Sequence, residues 1–211
     1  EVTSAQAWHA AIAAQTADHT DEVAYWSARL GEPTGFGADV DRARDRFSTV
    51  GSVRHRVAAD VTEALVTVVP EAFGGHVNDA LLAALARAVR SWQHSVGIAD
   101  ASPIGVLIEG HGRYEELVAR GADPRHADLS RTVGWFTTIA PVALDPATDA
   151  VHAVKAAKEE RLGQPDRGVG FGPLRFGGDE GLAGRALPSI GFNFFGAGGR
   201  GGSEEDLVGG F

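Results

Sequence analysis

The chain has 211 residues, with 19 Lys plus Arg against 28 Asp plus Glu and a formal net charge of −9. At 44% hydrophobic and 22% charged, the composition is that of a folded domain with a core of its own, and the acidic balance argues against nucleic acid as the main partner. The absence of cysteine excludes disulfides, thiolate metal sites and a thiol nucleophile, and no apolar run approaches the ~18 residues of a membrane span.

A reducing, cytoplasmic setting is the expectation that fits this composition. The start shows no basic n-region followed by an apolar stretch, so no signal peptide is expected. No Met is present, and the chain is expected to be a piece of a longer polypeptide. Basic residues are 17 Arg and only Lys155 and Lys158, the pattern of a high-G+C bacterial coding sequence.

Residues 3–30 read as helix, with Trp8, Ala11, Ile12, Val23, Trp26 and Leu30 near helical spacing and a break at Asp18–Asp21. Residues 31–47 carry Gly, Pro and mixed charge and read as a loop. Val53, His55 and Val57 alternate with Arg54 and Arg56, which predicts a strand. Asp60 with Glu63 three residues on predicts a capped helix, with Val61, Leu65 and Val69 facing inward and Pro70 ending it. The next helix is expected to be capped by Asn78 and to carry an apolar stripe of Val77, Leu81, Leu82, Leu85, Ala88, Val89 and Trp92. Pro103–Ile108, Trp135–Leu144 and Leu187–Phe195 are expected strands, and Asp149–Leu162 is a helix stopped by Gly163. Mixed strands and helices predict an α/β or α+β two-layer domain.

Glu109 ends an apolar run and is followed by two glycines within three residues, so backbone can approach a ligand there. It reads either as an acid/base group or as the partner of Arg113 or His111 in an ion pair. His111 reads either as a second acid/base group or as a histidine that hydrogen-bonds the turn. The remaining histidines show no ligand spacing, so no metal site is expected. Gly168-Val-Gly-Phe-Gly172 lacks the spacing and the preceding strand of a phosphate loop. No GxSxG string supports a serine hydrolase.

Four segments in order are more specific: Val77-Asn-Asp-Ala-Leu-Leu82, Glu109-Gly-His-Gly-Arg113, Asp128-Leu-Ser-Arg-Thr-Val-Gly-Trp-Phe-Thr137 and Phe192-Asn-Phe-Phe-Gly196. With Pro165–Gly172 they resemble the epimerization domains of nonribosomal peptide synthetases, relatives of the condensation domains. The resemblance implies a V of two chloramphenicol-acetyltransferase-like lobes with the active site in a tunnel between them. Residues 1–211 look like the C-terminal lobe only: leading helices and loop over 1–47, the core lobe over 48–196 and a Gly-rich tail over 197–211. The first lobe's His-His-x-x-x-Asp-Gly string does not occur here.

The implied reaction is inversion at Cα of an aminoacyl or peptidyl thioester held on the phosphopantetheine of a peptidyl carrier protein, with no cofactor of the enzyme's own. The resemblance implies that Glu109 is a catalytic acid/base group. It implies that His111, Arg113 and Asn193 support the site. Asn78, Asp79, Ser130, Arg131 and Trp135 belong to the matching motifs as structural residues, Arg131 through a salt bridge and Trp135 as a core anchor. The implied partners are the carrier protein and the first lobe, with no nucleic acid or membrane. Three positions depart from the family pattern: Tyr114 where Glu is common (Glu115 and Glu116 follow), and Phe171 and Phe194 where Tyr is usual. A phenyl ring at 194 can neither donate nor accept a proton.

Overall fold

The computed structural model describes residues 2–30, 41, 43–99, 101–115, 128–147, 149–177 and 179–196. Helix α1 spans Ala5–Ala14, a 3-10 stretch covers Thr16–Glu22, and α2 spans Val23–Arg29. The expected break at Asp18–Asp21 therefore falls inside the 3-10 stretch. Then come α3 (Ala59–Val66), α4 (Val68–Phe73), α5 (Val77–Ser95), β1 (Ile104–Gly110), β2 (Thr138–Leu144) and α6 (Ala150–Leu162). A 3-10 turn at Pro165–Gly168 leads to α7 (Phe171–Phe176), α8 (Glu180–Ala183) and β3 (Gly191–Phe192).

The sheet has the order β2-β1-β3, so β1 is central. It runs antiparallel to β2, with Ile104 opposite Leu144 and Glu109 opposite Ile139, and parallel to β3, with Ile108 opposite Phe192. One face of the β1–β2 pair, through Ile104, Val106, Val142 and Leu144, packs on α5 and α6. Those helices meet through Ala83, Ala86, Ala153 and Ala157, side chains small enough to let two backbones come close. A second cluster joins Trp26 and Leu30 to Ala140, Phe171, Leu174 and Leu182. A third joins Trp8 to Tyr114, Leu129, Phe136 and Val169. The leading helices are thus built into the core. This mixed α/β arrangement is the two-layer class expected from the sequence.

Several sequence expectations are corrected. The buried face of α5 is Asp79, Ala80, Leu82, Ala83, Ala86, Val89 and Gln93, while Ala88 is exposed. Residues 51–58 form no strand, and Val53 is 98% exposed. An alternating pattern becomes a strand only beside a partner edge, and no described strand lies there. Asp60 does not cap α3; Ala58 holds that position, without a side-chain bond.

Pro70 sits in the first turn of α4 instead of ending a helix. There its missing N–H costs nothing, while its ring would clash with the carbonyl of Val66, so the chain breaks earlier, at Thr67. Only Gly191–Phe192 of the expected 187–195 strand pairs. Residues 31–40 of the expected loop and the tail from 197 on lie outside the described residues.

Asn78 is not the cap of α5 either. His76 is the N-cap, and its backbone N–H donates to Asp79 Oδ2 at 2.7 Å. Asn78 lies inside the first turn, and its Oδ1 is buried without a partner among the described residues. Asp79 is 1% exposed and also accepts two bonds from the Arg161 guanidinium, at 2.6 and 3.1 Å. Truncating it leaves a partly buried arginine and a helix N-terminus without their acceptor. Asp79→Ala is expected to cost about 3 kcal/mol in urea unfolding, and an unchanged midpoint would remove this pair from the account of the fold.

Asp149 caps α6 by accepting from the His152 N–H at 3.0 Å and from its ring Nδ1 at 2.5 Å. Those bonds, the backbone one foremost, hold its carboxyl below the ordinary value of 3.8. A depressed carboxyl stabilises the fold above the unfolded-state value, and the gain is lost as pH falls through the folded-state value. The stability difference between wild type and Asp149→Ala is therefore expected to be full at pH 6 and to shrink as acidification protonates the carboxyl, read from denaturation midpoints against pH.

Candidate active site

Strand β1 carries Glu109 as its second-last residue, after an apolar run that buries Ile104 and Val106. Alternation sends Glu109 to the face opposite those side chains, where it is exposed. Asn193 follows directly on β3, and its Nδ2 donates to Glu109 Oε2. The parallel pairing of β1 with β3 brings together these two residues, which lie 84 apart in sequence.

Glu109 thus takes neither ion-pair partner considered from the sequence. The Arg113 guanidinium instead donates to the carbonyls of Leu129 at 2.8 Å and Thr132 at 3.0 Å, and lies 4.2 Å over the Phe136 ring. His111 Nδ1 accepts from the Arg113 N–H at 3.0 Å, so a neutral ring carries its proton on Nε2. The ring packs against Tyr114 at 4.5 Å, which agrees with the turn-bonding reading of this histidine.

Gly112 makes this turn possible. Its φ is +67°, and a Cβ there would sit 1.6 Å from the Phe136 carbonyl oxygen. The loop after Glu109 and the Trp135–Phe136 segment can approach only because that side chain is absent. Asp128 Oδ1 accepts from the backbone N–H and hydroxyl of Ser130, at 3.0 and 2.6 Å. The hydroxyl is the larger cause of an Asp128 carboxyl held below its ordinary value. Glu115 Oε1 accepts from the Leu129 N–H at 2.6 Å, so the glutamate beside Tyr114 ties the same loop.

Two expectations fail in this loop. Trp135 is 77% exposed and anchors no core; its neighbour Phe136 does, edge-on to Trp8 at 6.1 Å. Trp135 contributes its backbone oxygen, which accepts from His9 Nε2 at 2.9 Å. Arg131 is exposed and forms no salt bridge with a described residue. A tight turn can bury one of two adjacent aromatics, and here the loop is tied by Arg113 through the Leu129 and Thr132 carbonyls. Phe171 is buried against Trp26 at 5.5 Å, so its departure from Tyr is a matter of packing, whereas Phe194 is exposed beside Asn193.

A groove of about 500 Å³ opens beside the site, between α1, the Trp135–Ile139 segment and α7. Its lining is largely aromatic and aliphatic, and it reaches Ile139, the residue opposite Glu109. No sequence signal marked it, because its walls come from three distant segments. One polar cluster was missed too. The ligand atoms of His19, Glu22 and Asp166 lie within 4.8 Å of one another, the one such group among the described residues. His19 Nδ1 donates to Glu22 Oε1 at 2.6 Å and Trp26 Nε1 to Glu22 Oε2 at 2.8 Å, so these atoms are already engaged.

The condensation-domain family matches residues 6–182, and the chain belongs to that family. It is 40% identical over 160 residues to chondramide synthase cmdD of Chondromyces crocatus, covering 75% of this chain and 4% of that protein. Surfactin synthase subunit 2 of Bacillus subtilis is 33% identical over 193 residues, covering 90% and 5%. Bacitracin synthase 1 of Bacillus licheniformis is 31% identical over 174 residues, covering 82% and 3%. The chain therefore spans a small fraction of the relatives it matches. Among solved structures it is similar to the epimerization domain from the third module of tyrocidine synthetase B, with a TM-score of 0.69 and 28% identity over 92% of this chain and 43% of that one.

The Gly112 contact is directly testable. The left-handed backbone alone costs a non-glycine residue about 1–2 kcal/mol, and the carbonyl clash adds to it. Gly112→Ala is expected to lower stability by at least that amount and to separate the Glu109 loop from Phe136, seen as faster amide exchange over residues 111–115 and 132–137. Wild-type exchange would show that the two segments do not need this contact.

Proposed function

We propose that this chain is the C-terminal lobe of an epimerization domain, and that Glu109 exchanges a proton with the Cα of an aminoacyl or peptidyl thioester on a carrier-protein phosphopantetheine. The observation that carries this reading is the Glu109–Asn193 pair at the open end of β1, in a chain similar to a solved epimerization domain. The share of that domain matched, 43%, supports the single-lobe reading.

A thioester carbonyl acidifies the adjacent Cα–H enough for a positioned carboxylate to act as base. In one direction Glu109 takes the proton and leaves a planar enolate of the thioester. Reprotonation from the opposite face, by a group on the other lobe, inverts the centre. In the reverse direction Glu109 returns the proton. Asn193 fixes which carboxylate oxygen is free to act, because Oε2 already accepts its amide and Oε1 remains. No cofactor is needed, since carboxylate and enolate chemistry carry the whole reaction.

The family match is to condensation domains, which favours amide-bond formation as the second reading. Condensation elongates the carrier-bound chain, whereas epimerization changes only its configuration, so product analysis separates the two. In the complete domain with its carrier protein, Glu109→Gln keeps the shape and removes the proton affinity. Solvent deuterium wash-in at Cα is expected to fall by about 10²–10⁴. Wash-in at the wild-type rate would remove Glu109 from the chemistry.

A further inference from the structure

We infer that the groove beside β2 is the specificity pocket for the side chain of the residue being inverted, and that it selects uncharged, bulky apolar side chains. The inference rests on the epimerization reading above and names the substrate class for that site. Three observations carry it.

The first is position. The groove reaches Ile139, which lies directly opposite Glu109 in the β1–β2 ladder, so it begins about 5 Å, one cross-strand step, from the backbone of the base. A side chain branching from a Cα held at Glu109 is within a few bonds of it.

The second is size and chemistry. A volume of about 500 Å³ is in the range of small-molecule pockets and exceeds what one aromatic side chain fills. Trp8, Ile12, Trp135, Phe136, Val169 and Phe176 are among its large apolar lining residues. Among the described residues its single titratable lining residue, His9, has Nε2 bonded to the Trp135 carbonyl, and the Thr16 hydroxyl donates to the Ala13 carbonyl. No described acidic, lysine or arginine side chain lines it to neutralise a charged substrate group. A buried charge without a partner is strongly disfavoured, so the same wall that accepts Phe or Leu rejects Asp and Lys.

The third is the state of the wall. Trp135 and Phe176 are 77% and 80% exposed. They hold large apolar rings at the groove mouth without burying them in this lobe, as residues do that gain their contacts from an occupant.

The probes are pantetheine amides of Phe, Leu, Ala, Asp and Lys, with NH in place of the thioester sulfur, titrated calorimetrically into the chain. The Phe and Leu probes are expected to bind at least about tenfold more tightly than those of Asp and Lys. Gly172 lines the groove, and a Cβ there meets nothing within 4 Å, so Gly172→Leu fills the space without disturbing the backbone. It is expected to weaken the Phe probe about tenfold and leave the Ala probe within about twofold. Phe176→Asp, at a position outside the core, is expected to weaken the Phe probe and strengthen the Lys probe.

Equal affinity for all five probes, no binding of any, or a Phe probe indifferent to both substitutions would each overturn the inference. Deuterium wash-in by the complete domain is read separately. Exchange with no side-chain preference overturns the pocket alone. Selective binding without exchange overturns the epimerization reading and, with it, the groove's role toward an inverted residue.

Discussion

Strand β1 lies between an antiparallel and a parallel neighbour, and the geometry of the site depends on that double pairing. The antiparallel register places Ile139 opposite Glu109 and brings the Trp135–Thr138 segment to the end of the strand. The parallel register places Phe192 beside Ile108 and so delivers Asn193 to the Glu109 carboxylate. A one-residue slip in either ladder would turn Glu109 toward the buried face, where Val106 and Val142 leave no room for a charge. The apolar core thus aims the carboxylate as well as stabilising the fold.

Buried polar ties hold the remaining elements to that sheet. Glu160 on α6 takes a two-point bond from Arg29, at 2.6 and 2.9 Å, and also accepts the Ala143 N–H of β2 at 3.0 Å. One carboxylate therefore joins α2, α6 and the outer edge of the sheet. His19, Glu22 and Trp26 form a second tie, and Gly170 lies so close to it that a Cβ there would stand 2.5 Å from Glu22 Oε2. This gives the glycine-rich segment at 168–172 a packing role: its missing side chain makes room for the buried pair. Such ties add less net stability than their number implies, because each charge is desolvated, but removing one partner strands the other.

The same packing gathers Glu109, the turn after it and the groove at one end of the sheet. Gly112 allows the Glu109 loop to lie against the Phe136 backbone, and Arg113 fastens that loop to Leu129 and Thr132. The Glu109 turn is therefore held against the Leu129–Phe136 segment. Glu109, Trp135 and Phe176 all remain exposed.

The sequence by itself determined the element types where a pattern was both periodic and capped, as in α6 between Asp149 and Gly163, and it singled out Glu109 through an apolar run ending in a carboxylate before two glycines. Local free energy suffices for those features. It does not suffice for Val53–Val57, where a strand pattern has no described neighbour to bond, nor for Asn78, a good cap residue displaced by the His76–Asp79 capping bond. Trp135 and Phe136 are adjacent aromatics, and only the packing of Trp8, Tyr114, Leu129 and Val169 around Phe136 decides that it is buried and Trp135 exposed. The Glu109–Asn193 pair, the His19–Glu22–Asp166 cluster and the groove likewise required the tertiary structure. Each joins residues far apart in the chain, and contacts closed across such loops leave no periodicity to read.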